Sequence, residues 1–252
     1  MYFDTHCHLN SEALYPQHDL FIDHALKQDV KYMVVVGYDM DSSAKAVELA
    51  KQYDFIYAAV GIGPNDCLNT TDEDLEIIAG YLKEPEVVAL GEIGLDYHWD
   101  DVSKERQLEM FQKQMDLAKK YQKPVIIHCR DAYEDTYQVL KTNGHPGIMH
   151  CYSGSAQMAE RFIQLGFYIS LAGPVTFKNA RVPKDVAEKI SLDHLLIETD
   201  CPYLTPHPYR GKLNEPANVV YIAKEIAKLK NMEIEDVARK TTFNAKKVFG
   251  IK

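Results

Sequence analysis

The sequence lacks the features that would anchor the chain in a membrane or direct it out of the cell. Its 252 residues contain no apolar run of about eighteen residues, so we expect no transmembrane helix. The start, MYFDTHCHLN, has no basic segment followed by an apolar one, so we expect no signal peptide. These absences favour a cytoplasmic location and disfavour a membrane partner.

Cysteine pairs, linkers and repeats are also missing. The chain has 5 cysteines, an odd number, and no CxxC pair, which argues against a disulfide framework or a thiolate zinc site. With 46% hydrophobic and 26% charged residues, the composition excludes a disordered chain. No Ser/Gly-rich linker, low-complexity tract or internal repeat interrupts the sequence, so we predict a single domain over residues 1–252.

A surplus of positive charge is absent as well. The formal net charge is -9, and a uniformly acidic surface would repel nucleic acid. The charge is uneven, however, because residues 209–252 contain ten Lys and Arg against five Asp and Glu. We attribute this excess first to the solvated faces of two terminal helices, so net charge alone does not identify the substrate.

Eight short apolar runs are typical of parallel strands that are covered on both faces. They are Tyr2–Thr5, Lys31–Val36, Ile56–Val60, Val87–Leu90, Pro124–Ile127, Gly147–Met149, Phe167–Leu171 and His194–Ile197. Helical patterns follow at Ser42–Gln52, Thr71–Lys83, Ser103–Tyr121, Ala132–Thr142, Ser155–Gln164, Val186–Ile190, Pro216–Lys230 and Ile234–Phe249. This α/β order and length predict a (β/α)8 TIM barrel, with an open doubly wound sheet as the alternative.

Residues of metal-binding type stand at the carboxyl ends of five predicted strands. They are His6, His8, Glu92, His128, His150 and Asp200. In a barrel these strand ends meet at one mouth, so we expect four imidazoles and two carboxylates to converge there. Each residue alone has an ordinary interpretation, as a hydrogen-bonded histidine or an acid at a helix start. Their combination at one mouth indicates a metal centre.

The His6-Cys7-His8 step suits chelation. Side chains alternate along a strand, so both imidazoles share one face and Cys7 points away. The same alternation turns Cys129, Cys151 and Cys201 away from the ligands that precede them, so we interpret these cysteines as packing residues.

Six ligands exceed what one tetrahedral zinc ion requires and suit two divalent ions bridged by a carboxylate. We assign His6 and His8 to one ion, His128 and His150 to the other, and Glu92 to the bridge. Asp200 would bind the first ion, orient its water and accept the water's proton. Glu92 and Asp200 are thus the catalytic candidates. Zinc, magnesium, manganese, iron and cobalt all accept this donor set, so the sequence does not select the metal.

The bond that is cut is indicated less strongly. Arg130 lies two residues beyond His128, where a guanidinium can hold a phosphate in bidentate fashion. Lys104, Arg210 and Lys212 stand in segments that follow the fourth and eighth strands. Each of these alone reads as a surface charge, but together they are compatible with a basic rim and a phosphodiester substrate.

Segments distributed along nearly the whole chain resemble the TatD family of metal-dependent deoxyribonucleases. They are FDTHCHL, LGEIGLDYHWD, PVIIHCRDA, MHCYSGS and ETDCPYLTPHPYRGKLNEP. The resemblance implies a barrel with two divalent ions and hydrolysis of DNA, in the 3′-to-5′ direction on single strands. It implies the same six ligands. Glu92 also favours this branch over related barrels that carry a carboxylated lysine at the equivalent fourth-strand position.

One position departs from the family pattern. After the third strand the family has Gly-Ile-His-Pro, whereas this chain has Gly61-Ile62-Gly63-Pro64. Gly63 is not among the six ligands, so the change bears on contacts to the substrate or the leaving group. Two alternatives therefore stay open. One is hydrolysis of another ester or amide, such as D-aminoacyl-tRNA, and the other is a metal-stabilised barrel that binds a partner without turnover. The sequence does not indicate an oligomeric state.

Overall fold

Eight parallel strands form one continuous sheet in the computed structural model, which describes residues 1–252. The strands are β1 (Tyr2–Cys7), β2 (Val30–Val36), β3 (Ile56–Val60), β4 (Val87–Asp96), β5 (Val125–Arg130), β6 (Gly147–Met149), β7 (Tyr168–Leu171) and β8 (Leu195–Ile197). They are hydrogen-bonded in the order in which they occur along the chain. Strands alternate with helices throughout, and the sheet curls into a nearly closed barrel, which confirms the predicted (β/α)8 fold.

Nine α-helices surround the barrel. They are α1 (His18–Lys27), α2 (Met40–Gln52), α3 (Asp72–Tyr81), α4 (Lys104–Tyr121), α5 (Tyr133–Asn143), α6 (Ala156–Gln164), α7 (Arg181–Lys189), α8 (Val219–Lys230) and α9 (Ile234–Phe249). None of them is both long and apolar enough to cross a membrane.

Three predicted helix starts were wrong. Helix α8 begins at Val219 and not at the predicted Pro216, because Pro216–Asn218 forms a short 3-10 helix. Helix α2 begins at Met40, because Asp39 caps it and accepts the Ser42 N–H at 2.7 Å. Helix α7 begins at Arg181, five residues before the predicted Val186. The sequence prediction placed Pro183 before the helix, but it lies in the first turn, where its missing N–H has no helical partner to lose.

The predicted end of β4 was also wrong. The strand continues past Leu90 to Asp96, with an irregular register against β5 between Leu90 and Ile93. At this irregularity the Glu92 N–H donates to the carbonyl of Gly37 at 2.7 Å. Gly37 follows β2, and β3 lies between β2 and β4 in the sheet, so this hydrogen bond reaches across the end of β3. Glu92 therefore lies inside the strand.

The barrel is completed where β8 approaches β1. There the Asp200 N–H donates to the His6 carbonyl at 2.9 Å, and the His8 N–H donates to the Cys201 carbonyl at 2.8 Å. The Asp4 carboxylate adds a side-chain bridge, because it accepts the Thr199 N–H at 2.8 Å. Backbone bonds thus hold His6, His8 and Asp200 together across the seam between the first and last strands.

The apolar core has two parts. A cluster of 54 buried residues includes side chains from the strands and from most of the helices. A second cluster of 11 combines small and branched strand residues with Phe249 of α9, whose ring stacks on Phe3 at 5.9 Å. The contact of Phe249 with Phe3, near the start of β1, places the end of α9 against the amino end of that strand, and the cluster extends as far as Val36, the last residue of β2. The polar residues described next lie at the carboxyl ends of the strands.

Candidate metal centre

Glu92 occupies the middle of a cluster of four imidazoles and two carboxylates. Its Oε1 lies 2.7 Å from His128 Nδ1 and 3.0 Å from His150 Nε2. Its Oε2 lies 3.4 Å from His6 Nε2 and 3.8 Å from His8 Nε2. The two carboxylate oxygens thus face two different histidine pairs. We call these the first half (His6, His8 and Asp200) and the second half (His128 and His150).

The first half is compact and deeply buried. His6 Nε2 and His8 Nε2 are 3.1 Å apart, which agrees with the expectation that the two imidazoles share one face. Asp200 Oδ1 lies 3.7 Å from His6 Nε2 and 3.5 Å from His8 Nε2. The His6 and His8 side chains are 0% and 5% exposed. With Glu92 Oε2, this half offers four donor groups directed at one point.

The second half is more open. His128 Nδ1 and His150 Nε2 are 3.3 Å apart, and both face Glu92 Oε1. The His128 side chain is 22% exposed, the largest value among the four histidines of the cluster. The His150 ring stacks on the His6 ring at 4.0 Å and joins the two halves. This half offers three donor groups, including the shared Glu92.

The outer nitrogen of His8 is held by the backbone. His8 Nδ1 lies 2.9 Å from the Val36 carbonyl oxygen, which only accepts, so this nitrogen carries the proton. Nε2 is then the nitrogen that faces the cluster and would bind a metal ion. The buried Nδ1 of His6 has no hydrogen-bond partner in the protein.

The outer nitrogens of the second half face carboxylates instead. His128 Nε2 lies 3.0 Å from Asp96 Oδ2, and His150 Nδ1 lies 3.3 Å from Glu198 Oε1. The distance between His150 and Glu198 is that of an ion pair, but the two groups do not have the geometry of a hydrogen bond. Glu198 is fully buried and also accepts the Cys151 N–H at 2.5 Å. A carboxylate behind a ligating histidine orients the ring and raises its basicity.

The sequence prediction missed both of these carboxylates. Asp96 stands four residues after Glu92, and Glu198 stands two residues before Asp200. Even spacing along a strand places side chains on one face, so the argument used for His6 and His8 would have identified Asp96 once β4 was extended. Glu198 follows the short β8, where no regular alternation was available to find it.

The charges in the cluster depend on one another. Burial raises the pKa of Glu92, but the charge of His150 and hydrogen bonds from His128, His150 and His6 outweigh it and hold that pKa well below its usual value. Burial lowers the pKa of His128, yet hydrogen bonds to Asp96 and Glu92 raise it to about 9. Without a metal ion, His128 is therefore an imidazolium at neutral pH, with each ring nitrogen facing a carboxylate.

This donor set fits divalent ions. The donor atoms of His6, His8 and Glu92 lie within 4.8 Å of one another, as do those of Glu92, His128 and His150. Two Nε2 atoms at 3.1 Å in a buried site repel unless a proton or cation lies between them. Burial lowers the pKa of His8, His128 and His150, but neighbouring carboxylates outweigh it and raise that pKa, and a metal ion bound there would displace those protons.

A cavity of about 550 Å³ opens over the cluster. Its lining includes His8, Glu92, His128, His150 and Asp200, and Arg130 stands on its wall. No ion pair neutralises the Arg130 guanidinium, whose Cζ lies 5.7 Å from the centre of the Trp99 ring. Arg130 is therefore available to an anionic group in the cavity.

The structure does not bring the other predicted substrate contacts into this cavity. Lys104 Nζ packs over the Tyr97 ring at 4.2 Å, and the Arg210 guanidinium packs over the Phe177 ring at 4.2 Å. Lys212 lines a separate cleft beside α1. Neither Lys104 nor Arg210 is among the residues that line the main cavity. Of the cations predicted to form a basic rim, Arg130 is the one that lines this cavity.

The packing assignment holds for two of the three later cysteines. Cys201 is fully buried, and Cys129, although partly exposed at the cavity, packs against the apolar core. Cys151 lines the cavity, is partly exposed and belongs to neither apolar cluster, so its assignment as a packing residue was wrong. Cys151 has φ 42°, and this turn after β6 ends the alternation on which the prediction relied.

The Gly63 position lies against a carboxylate. A Cβ at Gly63 would lie 3.2 Å from Asp66 Oδ2 and 3.4 Å from the Tyr38 carbonyl oxygen. The Asp66 side chain lines the cavity and accepts no hydrogen bond from the protein. Burial together with the charges of Asp39 and Glu92 raises the pKa of Asp66 to about 6. Where the TatD pattern has a histidine, this chain thus presents an acidic wall.

Comparisons with known proteins agree along the whole chain. The family model described as TatD related DNase matches residues 3–250. A Bacillus subtilis protein named uncharacterized metal-dependent hydrolase YabD is 50% identical to this chain. The alignment covers 100% of both proteins. YcfH of Escherichia coli K12, also named an uncharacterized metal-dependent hydrolase, is 38% identical over 98% of this chain and 95% of its own. The crystal structure of YJJV, a TatD homologue from Escherichia coli K12, superimposes with a TM-score of 0.95 at 31% identity, covering 100% of this chain and 98% of that one.

Proposed function

Because the chain belongs to the TatD-related family of metal-dependent hydrolases, we propose that it is a deoxyribonuclease that uses two divalent ions. The observation that carries the proposal is the division of Glu92 between two histidine pairs, with Oε1 facing one pair and Oε2 the other. Two sites that share a carboxylate are the usual arrangement for displacement at phosphorus.

Each half would hold one ion. His6, His8, Asp200 and Glu92 would hold the first, and His128, His150 and Glu92 the second. When bound, such ions polarise the group that is attacked and lower the pKa of water toward ~7. The metal identity stays open among zinc, magnesium and manganese, since imidazole and carboxylate ligands accept all three.

The chain's own side chains supply the remaining functions. Hydrogen bonding from His8 and the charges of the surrounding histidines overcome burial and lower the pKa of Asp200, so Asp200 is ionised and can accept a proton. Arg130 is the unpaired cation on the cavity wall and would hold a non-bridging phosphate oxygen. Asp96 and Glu198 would fix the ring orientations of His128 and His150.

A nuclease assay tests the proposal. The metal-free protein is incubated with 3′-labelled single-stranded DNA after addition of magnesium, manganese or zinc. We expect stepwise removal of nucleotides that depends on the added ion and disappears in His128→Ala. Cleavage that persists in His128→Ala would identify a contaminating nuclease, and absence of cleavage with every ion would refute the proposal.

The Asp66 carboxylate favours a second candidate, hydrolysis of an aminoacyl ester on tRNA. Such a substrate combines phosphates, which suit Arg130, with an α-ammonium group, which suits an unpaired carboxylate. The variant Asp66→Asn separates the candidates. It should weaken turnover of a D-aminoacyl-tRNA if the carboxylate holds the ammonium group, and it should not weaken turnover of DNA.

A further inference from the structure

An exposed aromatic side chain, that of Tyr203, lies three residues after Asp200. Tyr203 is 61% exposed, and it lines the cavity over the metal centre. Its hydroxyl makes no hydrogen bond within the protein. A tyrosine ring carries a large apolar surface whose contact with another ring is favourable. An exposed ring at this place is therefore available to a ligand in the cavity.

The backbone under this ring is firmly held. The Tyr203 N–H donates to the Asp200 carbonyl at 3.0 Å. The buried Asn214 side chain donates to the Tyr203 carbonyl at 2.6 Å and to the Thr199 carbonyl at 2.9 Å. The exposure of the ring thus does not reflect a poorly anchored loop, and the backbone that carries the ring is held next to Asp200 of the first half.

A second tyrosine lines the cavity near the same half. The Tyr38 ring meets the His8 ring edge-on, with centroids 5.3 Å apart and an interplanar angle of 79°. Its backbone is fixed because the Tyr38 N–H donates to Ser42 Oγ at 2.9 Å and its carbonyl accepts the Gly63 N–H at 2.7 Å. Two tyrosine rings therefore line the cavity near the first half, and Arg130 follows His128 in the second half.

We propose that Tyr203, with Tyr38 beside the same half, forms a stacking surface for the nucleobase next to the bond that is cut, while Arg130 holds the backbone phosphate. This inference rests on the proposed nuclease function. Every base has a π face, so stacking on tyrosine is tolerant of sequence. A base inside a duplex would have to leave its neighbours to reach Tyr203, and the surface therefore favours single strands and frayed ends.

Trp99 fluorescence can report whether a ligand is bound at Arg130. Trp99 is the 1 tryptophan of the chain, and it packs against the Arg130 guanidinium at 5.7 Å. A phosphate that engages Arg130 changes the surroundings of this indole, so tryptophan fluorescence reads binding independently of cleavage.

The experiment crosses enzyme variants with substrate variants. Metal-loaded wild type, Tyr203→Ala, Tyr203→Phe and the control Phe243→Ala are mixed with two single-stranded oligonucleotides. One oligonucleotide is intact, and the other carries a tetrahydrofuran abasic residue at its 3′ end. Phe243 is 59% exposed on α9, away from the cavity, and matches Tyr203 in exposure. Stopped-flow Trp99 fluorescence gives Kd before cleavage begins, and product formation gives KM.

We expect the abasic residue to raise Kd and KM about tenfold for wild type, Tyr203→Phe and Phe243→Ala, as loss of one stacked base should. Tyr203→Ala should bind both oligonucleotides equally and weakly. If discrimination against the abasic end survives in Tyr203→Ala, the stacking surface is overturned while the nuclease function stands. Ring-dependent discrimination without cleavage supports the surface and refutes the proposed function. If neither oligonucleotide binds, both the stacking surface and the nuclease function are refuted.

Discussion

The two halves of the metal centre place their carboxylates differently. The first half has a carboxylate among its donors, since Asp200 lies 3.5 Å from His8 Nε2. Besides the shared Glu92, the second half has no carboxylate donor and is instead backed by Asp96 and Glu198, which face the outer nitrogens of its two histidines. The first half is closed and rich in donors, whereas the second is open and depends on outer partners.

This difference suggests that the two ions would have different affinities and different roles. Four convergent donors and nearly complete burial should retain the first ion strongly. The second half, with three donors and a partly exposed His128, leaves coordination positions on the side of the cavity where Arg130 stands. We therefore expect the second ion to bind more weakly, to exchange faster and to approach the substrate phosphate.

The largest effect should come from the residue that the halves share. Glu92→Gln removes the charge that faces both histidine pairs, so we expect activity to fall by more than about a hundredfold, beyond the range typical of outer partners. Metal content per chain should fall as well, as measured by plasma emission spectroscopy. Glu76→Gln, on the exposed surface of α3, is the matched control. Retention of both ions by Glu92→Gln would contradict a shared ligand.

A smaller and one-sided effect should follow from Glu198→Gln. The amide oxygen can still accept the Cys151 N–H, but the negative charge near His150 Nδ1 is lost. The metal concentration for half-maximal activity should rise about 10- to 100-fold, the usual cost of an outer-partner change. One ion per chain should remain after gel filtration. Loss of both ions would show that the halves are not independent.

Proton release should be larger in the second half, where neighbouring carboxylates raise the pKa of both histidines, than in the first, where carboxylates raise the pKa of His8 but burial lowers that of His6. The pKa of His128 is raised to about 9 in the metal-free protein, and metal binding at Nδ1 must displace that proton. Affinity in the second half should therefore weaken at least tenfold for each pH unit below about 9, because the charges of Glu92 and Glu198 overcome burial and raise the pKa of His150 as well. Titration calorimetry at pH 7 in two buffers with different ionisation heats measures the released protons. A binding heat that is the same in both buffers would refute this protonation state.

The smallest effect concerns the acidic cavity wall. Asp66→Asn removes a negative charge that opposes a phosphodiester, so KM for DNA should fall about two- to fivefold at pH 8, as expected for one solvent-screened charge. The pKa of Asp66 is raised to about 6, so the carboxylate protonates and the effect should fade as pH falls through 6. Steady-state kinetics at pH 8 and pH 5 test this, with Asp101→Asn in the exposed β4–α4 loop as control.

The order of the elements and the convergence of the six polar side chains could be predicted from the sequence. Barrel geometry brings strand ends together, and strand alternation puts His6 and His8 on one face. The outer carboxylates could not be found in this way, because Asp96 needed the longer β4 and Glu198 follows a three-residue strand. Positions of flexible cations were predicted poorly, since Lys104 and Arg210 pack on nearby aromatic rings outside the cavity.

Stepwise metal titration of the metal-free protein and of Asp96→Asn tests the division into two halves most directly. The structure predicts two separable binding events, of which only the weaker one loses affinity in Asp96→Asn, by about 10- to 100-fold, because Asp96 contacts His128 and no ligand of the first half. A single class of equivalent sites, or a loss confined to the tighter event, would contradict it.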